Sequence, residues 1–131
     1  MSKQKSIPQR DAIPQEYTWN TADLYPTDEA WKEEFQTLKS LTQKLEGYAG
    51  RRGESAQTLY DFVTLEQQAG EMLSKLMDYA QRKSDEDTRV ATYQAMVGQI
   101  STQYVELVRA TAFEVPELLA LPEERLEEFY A

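Results

Sequence analysis

The stretch Ser84-Asp85-Glu86-Asp87 is the densest group of side chains that could do chemistry, and calcium is the ion its carboxylates would suit. An EF-hand loop needs acids at alternating positions, a glycine at the sharp turn and a distal glutamate, and that pattern is absent. The same residues read better as a helix start, with Ser84 as N-cap and Asp87 as the short acid of a capping box. Histidine and cysteine are both missing from the 131 residues. Their absence removes the commonest general base, the commonest zinc ligand, thiolate chemistry and disulfides.

Without histidine no Ser-His-Asp triad can be assembled, and neither a Gly-rich phosphate loop nor a Gly-x-Ser-x-Gly elbow is present. A carboxylate-bridged metal centre in a helical bundle draws on Glu-x-x-His pairs, so the abundant glutamates read as solvated helix faces. No catalytic, cofactor-binding or metal-ligating residue can be named, and this chain alone is not expected to be an enzyme. Its 14 basic and 23 acidic residues give a net charge of -9. That balance repels phosphate backbones and anionic headgroups, so nucleic acid and membrane are not expected partners. No apolar run is long enough to span a bilayer, and no apolar signal segment follows Met1-Ser2-Lys3-Gln4-Lys5-Ser6. The lack of cysteine fits a reducing compartment, and the cytoplasm is the expected location.

The elements that must position these side chains read as all-α. The pattern predicts a long antiparallel hairpin over about 55–82 and 84–113, a helix over about 28–48 packed on it, and short C-terminal helices. Residues 1–15, interrupted by Pro8 and Pro14, form a flexible arm, and 16–131 form one helical domain. Thr27 caps the first helix, and Trp31, Phe35, Leu38, Leu41, Leu45 and Tyr48 make one apolar stripe along it. Ser55 caps the second helix, whose apolar surface is wider than one stripe. The third pairs the stripe Val90, Tyr93, Val97, Ile100, Tyr104 and Leu107 with a smaller-residue face, Ala91, Ala95, Gly98, Val105 and Ala112, and so reads as buried on two sides.

Gly70 and Gly98 stand at equal distance from Ser84, which predicts that the two backbones meet closely there. Val115-Pro116 ends the third helix, with Pro116 opening a short helix, and Pro122 starts a last one bearing Leu126, Phe129 and Tyr130. A hairpin arm of roughly 42 Å cannot be covered by a first helix of roughly 30 Å, which leaves surface for a partner or for more of the same polypeptide. Tyr17, Trp19 and Tyr25 crowd a short interrupted segment. They are expected to pin the arm by burial, at about 2 kcal/mol for each fully buried ring. The other reading, a stacking platform for a ligand, is disfavoured because no basic residue interleaves with them.

Several motifs in order, Ile13-Pro14, Tyr17-Thr18-Trp19-Asn20, Asp23-Leu24-Tyr25 and Asp28-Glu29-Ala30-Trp31, resemble the start of oligoendopeptidase F. The resemblance continues through Leu76-Met77-Asp78-Tyr79-Ala80, Ser84-Asp85-Glu86-Asp87-Thr88, Tyr93-Gln94 and Phe113-Glu114-Val115-Pro116-Glu117-Leu118-Leu119, from about residue 7 to the end. It implies the N-terminal helical region of a cytosolic zinc metallopeptidase, related to thimet oligopeptidase, that hydrolyses short oligopeptides in an enclosed helical cavity. The His-Glu-x-x-His helix and further glutamate ligand of that family are not in this chain. The resemblance therefore implies a scaffold that walls the substrate channel, with the remainder of the peptidase as partner, zinc only in the full-length protein, and no cofactor here. The alternative reading is a stand-alone acidic helical interaction module that buries its spare apolar faces in a homodimer or on a foreign partner.

Overall fold

The computed structural model describes residues 6–131, so positions 1–5 of the expected arm lie outside the described residues. After three 3-10 turns come five helices: α1 (Asp28–Glu46), α2 (Ala56–Glu86), α3 (Ala91–Thr111), α4 (Glu114–Leu119) and α5 (Glu123–Tyr130). Among the described residues there is no strand, and the all-α expectation holds.

The helix starts follow the capping chemistry of the sequence. The Thr27 hydroxyl accepts the Ala30 N–H at 3.1 Å, and Asp28 and Glu29 occupy the first turn of α1, where the helix dipole favours acids. Ser55 does the same for α2, accepting the Thr58 N–H at 3.0 Å. Between these helices Gly50 takes φ 78°, a left-handed conformation that suits glycine.

The three long helices share one core. Trp31, Leu38 and Leu45 of α1, Phe62, Ala69, Leu76 and Ala80 of α2, and Ile100 of α3 are fully buried. α1 packs against both hairpin helices, and α2 and α3 pack against each other. Phe35 and Tyr48, at the edges of the expected stripe, are half-buried against this core, and the Phe35 ring stacks on Trp31 at 5.2 Å.

The hairpin turns later than Ser84 predicts. Ser84 is buried inside the last turn of α2, which continues to Glu86, and Asp87 is the residue that leaves the helix with φ -155°. Side chains on that last turn favour its continuation: Gln81 donates to Asp85 at 2.8 Å, and Lys83 pairs with Glu86 at 3.6 Å. The Asp87 carboxylate instead accepts the Arg89 N–H at 3.0 Å and its guanidinium, so it shapes the turn rather than a capping box.

Moving the turn moves the register, and the expected meeting of Gly70 and Gly98 is lost. A Cβ placed at either glycine would have no neighbour within 4 Å. The second face of α3 is also not buried, for Ala91, Ala95, Gly98, Val105 and Ala112 are all exposed. The fold covers α3 from one side only, with α1 and α2. Pro116 sits in the third position of α4 rather than the first, still within the turn whose N–H groups need no intrahelical acceptor. Pro122 immediately precedes α5, as expected.

Because both glycines sit in open helical positions, they cost helix stability without a packing return. Gly70→Ala and Gly98→Ala are each expected to stabilise the chain by about 1 kcal/mol, additively, in denaturant titrations. A loss of stability in either variant would contradict the open environment.

Candidate functional site

The 3-10 turns Arg10–Ala12, Gln15–Tyr17 and Thr21–Asp23 send the aromatics of the first segment in different directions. Only Tyr25 is buried, its ring set edge-on to Tyr79 at 5.4 Å. Tyr17 and Trp19 are 75% and 79% exposed, so burial of all three rings does not pin the segment as expected. Such short turns offer no continuous apolar face on which the rings could lie together. Instead, the Arg10 guanidinium pairs with Glu86 of α2 at 2.8 Å.

The basic residues missing from the aromatic stretch are supplied by α2. The Arg82 guanidinium stands 5.9 Å from the centre of the Trp19 ring, within cation–π range. Two clefts adjoin Trp19. One, of about 490 Å³, is lined by residues including Arg10, Gln15, Thr18 and Lys83. The other, of about 280 Å³, is lined by residues including Tyr17, Arg82 and Asp85.

A second polar site joins the α1–α2 loop to α4. Arg52 is fully buried, with its guanidinium 4.1 Å from the Phe62 ring centre and its Nη1 donating to Glu117 at 3.0 Å. The other Glu117 oxygen accepts the Gly50 N–H. Arg52 Nε and Nη2 have no hydrogen-bond partner among the described residues. Burial pushes the Glu117 carboxyl up, but the bonds from Gly50 and Arg52 and the Arg52 charge outweigh it and hold the group below its ordinary range.

Three further contacts set the helices against one another. Asp28 accepts from Tyr79 at 2.7 Å and from Tyr93 at 3.1 Å, tying the start of α1 to both hairpin helices. The Trp31 indole N–H donates to the Leu76 carbonyl at 2.8 Å. Gln103 donates to Thr42 at 2.9 Å inside the core. The apolar stripes of the sequence include Trp31 and Tyr93 without their polar ends, and nothing in it singled out the Tyr79 hydroxyl or the pair Gln103 and Thr42.

Among the described residues no group of three or more Asp or Glu side chains is placed to hold a metal ion. No helix among them is long and apolar enough to cross a membrane. The acids of the expected capping box are engaged at the hairpin turn, Asp85 with Gln81, Glu86 with Arg10 and Lys83, and Asp87 with Arg89.

No family model and no solved structure matches the chain. Curated relatives do. Oligopeptidase PepF of Bacillus subtilis (strain 168) is 37% identical over 127 residues, which is 97% of this chain and 19% of that protein. Group B oligopeptidase PepB of Streptococcus agalactiae serotype III is 31% identical over 92% of this chain and 20% of its own length. The plasmid oligoendopeptidase F of Lactococcus lactis subsp. cremoris is 33% identical over 88% of this chain and 19% of its own length. The chain thus spans about one fifth of the relatives it matches.

Near Arg52 the chemistry has a pH signature. Burial, then the charge of Glu114 and a hydrogen bond with it, push the Glu66 carboxyl above its ordinary 4.5, opposed by Arg52 and Thr111. An acid raised on folding contributes stability fully below its unfolded value and loses that contribution as pH rises through the folded one; Glu117, lowered, loses its contribution as pH falls. Glu66→Gln keeps a donor for Glu114 and removes the titration. It is expected to raise the melting midpoint at about pH 7 and leave it nearly unchanged at about pH 4. A midpoint raised equally at both would assign the effect to something other than the Glu66 proton.

Proposed function

We propose, from a chain homologous to a stretch of oligoendopeptidase F over nearly its whole length, that it is the N-terminal scaffold of an oligoendopeptidase F-like zinc metallopeptidase. The observation that carries this reading is the coverage: 31–37% identity along 88–97% of this chain, against only 19–20% of each relative. The zinc would be held, and the peptide bond cut, by parts of a longer polypeptide, because a His-Glu-x-x-His segment needs histidines that this sequence lacks. There the metal would polarise the scissile carbonyl and its bound water. This chain's own work is to wall the channel that admits short peptides in a cytoplasmic enzyme.

The outer side of α3 fits that role. From Ala91 to Val105 the helix carries no charged residue, in a chain 28% charged. Toward the end of α3, Tyr104, Val105 and Val108 are 50%, 61% and 48% exposed, the last between the charged Glu106 and Arg109. The exposed Tyr104, Val105 and Val108 are the part of this surface that suits packing against further polypeptide, since the rest of it is small or polar.

The test compares this chain with a longer one that includes a His-Glu-x-x-His segment, on fluorogenic peptides. The longer chain is expected to hydrolyse them, to stop on chelation and to recover with zinc, while this chain stays inert with zinc added. Full activity from the remainder without this chain would remove the scaffold role. A stable homodimer of this chain in sedimentation, broken by Val105→Glu with Val108→Glu, would favour the stand-alone module.

A further inference from the structure

We propose that the clefts around Trp19 bind the C-terminal carboxylate of a short peptide, with Arg82 as the ionic partner and the Trp19 ring as the stacking surface for the peptide's last side chain. The peptidase reading supplies only the source of this ligand; the site itself rests on four observations. A tryptophan 79% exposed leaves a large apolar ring in water, and its neighbour Tyr17 is 75% exposed. The ring is nevertheless placed, because Arg10 holds its segment against α2 through Glu86 at 2.8 Å. Arg82 makes no ion pair and no hydrogen bond among the described residues, yet stands 5.9 Å from the Trp19 ring centre. Of the two clefts that adjoin the ring, about 490 and 280 Å³, the larger lies within the size range that takes small ligands.

The local charge selects an anion even though the chain as a whole is acidic. Arg10, Arg82 and Lys83 meet here with Asp85 and Glu86. Arg10 and Lys83 share Glu86, and Asp85, whose charge the neutral Gln81 amide does not cancel, lines the same cleft as Arg82, so the five groups carry a net charge of +1 and Arg82 is the cation with no ion pair among the described residues. A guanidinium binds a carboxylate through paired charge-assisted hydrogen bonds, and an adjacent ring rewards a ligand that carries an apolar side chain beside its carboxylate. The end of a peptide has that chemistry. The net charge of -9 opposes a polyanion such as nucleic acid, which would extend beyond this patch.

The two tryptophans make the site readable, because Trp31 is buried with its indole N–H on Leu76 and serves as an internal control of folding. The chain, labelled with 15N at tryptophan, is titrated with the tripeptide Ala-Ala-Phe, with its C-terminal amide, and with acetate. The Trp19 indole resonance is expected to move saturably with the tripeptide while that of Trp31 stays. Amidation and Arg82→Gln are each expected to weaken binding by about tenfold or more, and Trp19→Ala to abolish the shifts of cleft residues in the backbone spectrum. No shift at Trp19, equal binding of the amide, or an unaffected Arg82→Gln variant would overturn the proposal, as would acetate binding as well as the tripeptide. Hydrolysis by the longer chain reports on the peptidase reading separately: tripeptide binding here without hydrolysis there would sustain this site and sink that reading.

Discussion

The bond from the buried Trp31 indole to the Leu76 carbonyl is the contact on which the arrangement of the bundle depends. An apolar stripe can slide or roll along a groove of similar side chains at little cost, whereas a buried N–H must find its acceptor or forfeit about 1–3 kcal/mol. The indole therefore fixes both the height and the roll of α1 on α2. Asp28, one turn earlier, and Thr42, three turns later, repeat the device toward Tyr79, Tyr93 and Gln103. Polar contacts at separate heights leave the three helices one alignment, and the apolar core fills in around them.

Arg52 performs the corresponding task at the other end of α2. Its charge is withdrawn from water, and the Phe62 face and a single carboxylate from α4 are its compensation. Breaking such a pair strands a buried charge, so the loop, α2 and α4 hold or loosen together. Glu66 and Glu114 lean the other way, two acids close enough to raise one of them. This junction is where the bundle meets α4, and burial, then the Glu114 charge, raise the Glu66 carboxyl there.

The surfaces left open are of two kinds and fit two different tasks. The outer side of α3 carries no charge from Ala91 to Val105 and exposes Tyr104, Val105 and Val108 toward its end. The Trp19 clefts are mixed, with rings, cations and engaged acids in a small space, which suits a small polar ligand. The relatives are about five times longer than this chain.

The all-α class, the helix caps at Thr27 and Ser55 and the buried stripe of α1 were legible in the residues, because capping and a 3.6-residue apolar period act locally. The turn was misplaced at Ser84 because a serine followed by acids reads as a helix start, and only Arg10, Gln81 and Lys83 packed around it let α2 run on to Glu86. The aromatic stretch lacked a cation in sequence and acquired Arg82 in space. Composition by itself removed histidine and thiol chemistry from this chain, since an absent residue cannot be restored by folding. Tertiary structure alone decided which glycines are open, which rings are wet and which carboxyl is raised by burial and a neighbouring acid, because these depend on distances between residues far apart in the chain.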